Sequence, residues 1–270
     1  MSLIESIVLG IIQGLTEFLP VSSSGHLELG KEVLGVKFEE NAVLYSAVVH
    51  AATALSTIVV YYKDILNLIS ELFKFQWNDA TKFVVYILIS MIPAGLVYVF
   101  FKEQLDVLFS GQIMLVGFML LITAGLLMAS SRIQSQPGEL NPIKAFIVGL
   151  AQAFALLPGV SRSGSTISTA LMLGISRETA ARFSFLMVIP VILGGTMLEL
   201  KDYFDAESTT AVVEVGTDVL VAGFLAAFIS GLIACTWMIR IVKNAKLDYF
   251  AIYCVIVGII AILAGAGIFG

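Results

Sequence analysis

Two apolar segments, each broken in its middle, constrain this chain more than any other feature. The first contains Gln13-Gly14-Leu15-Thr16-Glu17-Phe18-Leu19-Pro20-Val21-Ser22-Ser23-Ser24-Gly25-His26, and a near-copy lies 139 residues downstream. In one gapless register Gly10 falls on Gly149, Gln13 on Gln152, Val21 on Val160, Ser22 on Ser161, Ser24 on Ser163 and Gly25 on Gly164. Further along, Leu34 meets Leu173, Gly35 meets Gly174 and Glu39 meets Glu178. Each copy is an apolar helix-like run, a proline, a Ser/Gly cluster and a second short apolar run. The polar groups differ: Glu17 and His26 occur only in the first copy, Arg162 only in the second.

Of the 270 residues, 59% are hydrophobic and 13% charged, more apolar surface than a soluble domain could hide, so the bilayer must solvate most of it. Six uninterrupted runs, roughly 41–62, 80–101, 112–131, 178–199, 217–239 and 249–269, reach the length of a membrane span. Polar joints separate them at Lys63 to Asp79, Lys102 to Asp106, Ser130 to Asn141, Lys201 to Glu214 and Arg240 to Asp248. Segments 3–35 and 142–174 do not fit this scheme, because Pro20 or Pro158 and a run of Ser and Gly cut each in half. Ser22 or Ser161 could cap the helix that restarts after the break. Broken backbone at membrane depth needs protein or a wet cavity around it, so each segment is read as a re-entrant hairpin of two short helices. The fold class that follows is an all-α polytopic membrane protein. It is a single membrane domain with internal repeats over about 3–131 and 142–269, each one hairpin plus three transmembrane helices.

Charge placement orients the arrangement. With both hairpins returning to the side they entered, Lys63, Lys74, Lys82, Arg132, Lys144, Arg177, Arg182, Arg240, Lys243 and Lys246 share one face, leaving Lys31, Lys37, Lys102 and Lys201 on the other. The richer face is expected to be cytoplasmic, which puts both termini outside. The segment from Lys201 to Asp218, with five acidic residues and one lysine, agrees with an outside location. Three spans per half is an odd number, so the halves enter the membrane in opposite senses, an inverted repeat with sites near the midplane. The formal net charge of −5 adds little. The first basic residue is Lys31, so the N-terminus lacks the basic region of a cleaved signal peptide. Cys235 and Cys254 lie in apolar runs and read as small core residues.

Gln13 and Glu17 are four residues apart and share one helix face. A carboxylate in apolar surroundings is costly and marks a candidate functional group, with Thr16, Ser22, Ser23, Ser24 and His26 close by. Beside Glu17, His26 can serve as acid, base or nucleophile. His50 sits among Ala, Val and Thr and reads as structural or supporting. In the second hairpin, Arg162 stands among Ser161, Ser163, Ser165 and Thr166 where a helix begins. A guanidinium fork and a helix N-terminus both favour phosphate, although Arg162 could instead simply neutralise Glu17 as a structural ion pair. On the sharper reading both hairpin tips aim helix N-termini at one anionic group, and Glu17 would hold a metal ion or handle a proton. There is no P-loop, no zinc spacing and no nucleophile elbow, and basic residues are too sparse for nucleic acid.

At these residues the sequence resembles the bacterial undecaprenyl-diphosphatase family, also called bacitracin-resistance proteins. That family carries (E/Q)-x-x-x-E running into F-L-P-[VI]-S-S-[ST]-G-H, matched here by Gln13 to His26, and P-G-x-S-R-S-G-x-T, matched by Pro158 to Thr166. The Ser176-Arg177-Glu178 to Pro190 stretch is similar too. The resemblance implies removal of the terminal phosphate of undecaprenyl diphosphate, a polyprenyl lipid, at the outer leaflet of the bacterial inner membrane, usually with a divalent cation such as Mg²⁺ or Ca²⁺. By position it makes Glu17, His26, Ser23 and Arg162 catalytic candidates. It places Ser22, Ser24, Ser161, Ser163, Thr166 and Gln13 in substrate binding, and Glu17 with Gln13 as the cation's ligands. Gln13 is the uncharged variant of its motif position, which favours phosphate binding over metal binding. Membrane lipids are the other expected partners, and a homodimer is left open. The rival of a different class is a lipid-phosphate transporter or flippase, since inverted repeats with broken helices are also a transporter plan. The Glu, His and Ser cluster is what a pure transporter would not need.

Overall fold

The computed structural model describes residues 1–36, 42–108, 112–133, 138–207, 216–244 and 246–268. Lys37, Glu39 and Glu214, which entered the reading above, lie outside them, as does the middle of the acidic segment at 208–215. The described residues form helices α1 (Leu3–Phe18), α2 (Ser23–Leu34), α3 (Ala42–Val60), α4 (Tyr62–Leu72), α5 (Asp79–Leu108), α6 (Ile113–Ser131), α7 (Pro142–Phe154), α8 (Arg162–Met172), α9 (Arg177–Glu207), α10 (Thr217–Lys243) and α11 (Asp248–Gly265). Among them the sole β pairing is an isolated bridge between Gly138 and Ile175.

Both broken segments are helical hairpins. Leu19 ends α1 in an extended conformation (φ −68°, ψ 142°), as a residue before proline prefers, and Pro20 supplies no N–H to continue. Ser22 then caps α2 by accepting from the Gly25 N–H at 3.2 Å. In the second hairpin the chain turns through Ala155–Gly159, with Gly159 at φ +94°, where a side chain would be strained. Ser161 caps α8 by accepting from the Gly164 N–H at 3.0 Å. Both caps are the serines that the sequence pattern singled out.

Helices α5, α6, α9, α10 and α11 are long and apolar enough to cross a membrane, and the chain is an all-α polytopic membrane protein. The sixth expected span is α3, which breaks at Tyr61 and turns by 77° into α4. That turn is a correction to the reading of Lys63–Asp79 as a plain joint. Ile65, Leu68 and Leu72 recur at helical spacing among Lys63, Asp64 and Glu71, and Leu68 is buried, so an amphipathic helix forms there. Lys102–Asp106 is likewise not a joint but the last turns of α5, beyond a departure from helical backbone at Phe101 (φ −128°, ψ 21°). Lys, Glu, Gln and Leu form helices well and nothing there stops one. Helix α9 likewise runs on past Lys201 to Glu207, with no proline or glycine to stop it.

The hairpins enter from opposite ends of the bundle. At one end Ser6 of α1 donates to the Val219 carbonyl at the start of α10 (2.6 Å), while Tyr45 of α3 donates to the Ser6 carbonyl (2.6 Å). At the other end Lys243, closing α10, pairs with Glu178 (2.9 Å), and Arg177 donates to Ile133 after α6 (3.0 Å). The Gly138–Ile175 bridge joins the mouth of the second hairpin to that same end, where Arg182 also pairs with Asp64 (3.1 Å). Glycines let the hairpins press in: a Cβ on Gly10 would lie 2.6 Å from the Gly223 carbonyl of α10, and one on Gly149 2.4 Å from the Ser90 carbonyl of α5. Both tips end in the main apolar core, where Phe18 and Val21 of one and Ile167 of the other pack with Val116, Leu120 and Phe185.

Candidate active site

The tips meet. A Cβ on Gly25 would stand 3.1 Å from the Gly159 Cα, and one on Gly164 3.3 Å from the Pro20 Cβ. Ser163 donates its hydroxyl to the Leu19 carbonyl across the junction (3.2 Å). Thr123 of α6 braces the second tip, accepting from the Ser161 N–H at 3.0 Å.

Glu17, in the last turn of α1, sits at the centre. Its Oε1 accepts from Arg162 Nη2 at 2.6 Å. Its Oε2 accepts from Ser23 Oγ at 2.7 Å and from Gln13 Nε2 at 3.0 Å. Ser23 opens α2 and Arg162 opens α8, so the carboxylate is gripped by the side chains of the first residues of two helices. The ion-pair alternative for Arg162 therefore exists as a contact, with side chains only 15% and 6% exposed. It is not isolated: Arg162 Nη1 also donates to the Ser184 carbonyl (3.3 Å), and Glu17 has two further donors. A buried charge pair with this many partners is held in one geometry rather than merely neutralised.

The remaining predicted residues lie around this centre. Ser22 is almost fully buried with φ +73°, ψ 100°, a strained backbone for a residue with a Cβ, and its Oγ lies 3.4 Å from Ser24 Oγ. Ser161 and Ser163 hydroxyls are 3.3 Å apart. Thr166 points deeper, its hydroxyl 2.8 Å from the Arg162 carbonyl and 2.7 Å from Ser184 Oγ. His26, three residues after Ser23 and so on the same face of α2, has Nδ1 2.8 Å from the Ser22 carbonyl and Nε2 2.8 Å from the Tyr253 hydroxyl. His50 of α3 is tied through Nδ1 to the Ser46 carbonyl (2.8 Å) and lies within electrostatic range of Glu17.

Thr123, Ser184 and Tyr253 escaped the sequence reading. The first two carried a usable signal, a hydroxyl inside an apolar span. Tyr253 carried none, since tyrosine is unremarkable in a membrane helix.

Whether a divalent cation fits can be judged from the donors. Gln13 Nε2 must face Glu17, because an amide oxygen cannot donate to a carboxylate, and this leaves Gln13 Oε1 buried without a partner. That orphaned oxygen and the Glu17 carboxylate are hard donors of the kind Mg²⁺ and Ca²⁺ take. Among the described residues no three acidic, imidazole or thiol groups cluster as a cation site, so phosphate oxygens would have to complete one. The residues fit a cation that arrives with a phosphate.

Fold and site together define a class: a polytopic helical membrane protein with an acid, an imidazole, serines and an arginine gathered at two facing helix breaks. The chain matches the family model for the bacitracin resistance protein BacA over residues 6–260 and belongs to that family. Over 264 residues it is 52% identical to the undecaprenyl-diphosphatase of Christiangramia forsetii, covering 97% of this chain and 98% of the relative. It is 51% identical over 260 residues to the protein of the same name from Bacteroides fragilis (96% and 97% covered). For the one from Methanobrevibacter smithii the identity is 37% over 279 residues (97% and 98% covered).

Proposed function

We propose that this chain is an undecaprenyl-diphosphate phosphatase. It removes the terminal phosphate of undecaprenyl diphosphate to give undecaprenyl phosphate and inorganic phosphate, recycling the lipid carrier of cell-wall synthesis. The names of its relatives support this, and one observation carries it: a serine hydroxyl donating to a carboxylate that an arginine from the other hairpin holds.

The Gly25 and Gly164 N–H groups are taken by the capping serines, and the other first-turn N–H groups of α2 and α8, with the Arg162 fork, would form an anion cradle. The terminal phosphoryl group would lie there beside Ser22, Ser24, Ser161 and Ser163, with its developing charge absorbed by Arg162. Ser23 Oγ attacks the terminal phosphorus as Glu17, already 2.7 Å away, takes its proton. The bond to the bridging oxygen breaks and undecaprenyl phosphate leaves with its electron pair. Water, deprotonated by His26 on the same helix face, then attacks the phosphorus on Ser23, and the Ser23 oxygen leaves as it takes its proton back from Glu17. A divalent cation held by Gln13 Oε1 and Glu17 would supply further charge neutralisation at the diphosphate.

The protein is placed by this reading in the bacterial plasma membrane, with the site open to the outer side and both termini outside. The tally of basic residues supports that orientation. The matching register of the two broken segments, and a hairpin followed by three apolar segments in each half with α4 added in the first, support an inverted duplication. Phosphate release from polyprenyl diphosphate by purified protein in detergent, where no leaflet needs crossing, tests the enzyme against a flippase. Release that chelator abolishes and Mg²⁺ or Ca²⁺ restores supports the cation role. Lipid movement in vesicles without phosphate release would favour the transporter.

A further inference from the structure

We propose that Tyr253 of α11 is a positioning residue for His26, an inference that rests on His26 acting as the base of the reaction above. The Ser22 carbonyl, 2.8 Å from His26 Nδ1, can only accept, so Nδ1 carries the proton and the ring's lone pair is on Nε2. That nitrogen is the one the chemistry needs, and it lies 2.8 Å from the Tyr253 hydroxyl. The two rings stack, with centroids 5.5 Å apart and planes inclined by 15°, which fixes the direction in which Nε2 points.

A phenol suits this task for a chemical reason. Its O–H donates to Nε2 while the imidazole is neutral and the site is at rest, gives way to the reacting water as Nε2 takes that water's proton, and its oxygen then accepts from Nε2–H. The same contact serves both states that His26 passes through as a base. Packing alone does not call for the hydroxyl, because Tyr253 is 42% exposed on an otherwise apolar helix and phenylalanine would cover the same surface. The platform beneath it is held closely. Cys254 lies 3.7 Å from the Pro20 carbonyl at the hairpin turn. Gly117 of α6 and Gly258 of α11 approach so nearly that a Cβ on either would stand within 3 Å of the other's carbonyl oxygen. Residues 227 positions apart are thus joined through a rigid helix pair.

The test compares the parent, Tyr253→Phe, His26→Ala and the double variant, all purified and assayed for phosphate release from polyprenyl diphosphate. Tyr253→Phe keeps the stacked ring and loses the hydroxyl. Its kcat should fall about five- to tenfold, the scale of one lost hydrogen bond to the reacting group, while KM stays within about twofold. Its unfolding midpoint should stay close to the parent's. In the His26→Ala background the same substitution should have no further effect, because its influence passes through the imidazole. A parental kcat for Tyr253→Phe, an equal fold-loss in both backgrounds, or a rise in KM alone would overturn the proposal. If His26→Ala itself runs at the parental rate, it is the role of His26 that fails, and that result is distinguishable from the others.

Discussion

Glu17 and Arg162, 145 residues apart in the chain, share a charge-assisted hydrogen bond of 2.6 Å at the point where two helices begin. The carboxylate stands where a phosphate would be most stable, and a serine hydroxyl already donates to it. Glu17→Gln keeps the shape and removes the base, so kcat should fall by about 10²- to 10⁴-fold, the range for a lost general base. A stopped phosphate-release assay reads this directly, and because Arg162 loses its charged partner the unfolding midpoint should fall and is read on the same sample.

Ser22 combines a cap with a strained backbone. Ser22→Ala loses the hydrogen bond to the Gly25 N–H and keeps φ at +73°, so it should destabilise the protein by about 1–2 kcal/mol. Ser22→Gly loses the same side chain but relaxes the backbone, and should unfold at a higher temperature than Ser22→Ala. Thermal unfolding in one detergent ranks the two.

The cation reading turns on the unpartnered Gln13 oxygen. Gln13→Glu adds a second carboxylate beside Glu17, the pattern that hard divalent cations favour. The Mg²⁺ or Ca²⁺ concentration giving half-maximal phosphate release should drop several-fold. Gln13→Leu should raise it, with the rate at saturating cation changed less.

Much of this was legible beforehand, and the reason is physical. A proline and a Ser/Gly run inside an apolar segment leave few structural options in lipid, so both hairpins, their capping serines and the meeting of their tips could be anticipated, while the sequence offers the direct Glu17–Arg162 pair only as the lesser alternative. Helix α4 could not, because its charged residues masked an apolar stripe of only Ile65, Leu68 and Leu72. The ends of α5 and α9 are not marked by the onset of polarity, because charged and polar residues such as Lys102, Glu103 and Gln104 stop no helix. Ser184 and Tyr253 reach the site from α9 and α11, and only tertiary packing reveals a contact made by one side chain from a distant helix.

Close helix approach carries its own consequence. A valine at Gly149 would drive its Cβ into the Ser90 carbonyl, 2.4 Å away, with backbone on both sides of the clash. Gly149→Val should cost about 1–3 kcal/mol or more and lower the unfolding midpoint, while Gly95→Val, with open space around it, should not. Differential scanning in detergent separates them.

The account depends most on Arg162 holding the diphosphate head. Phosphate release by Arg162→Ala should fall by at least about 10²- to 10³-fold, and Arg162→Lys, which lacks the planar fork, should not restore it. Losing the arginine also leaves Glu17 buried without its partner, so the assay belongs beside an unfolding measurement on the same sample. A folded Arg162→Ala protein that releases phosphate at near the parental rate would contradict the account.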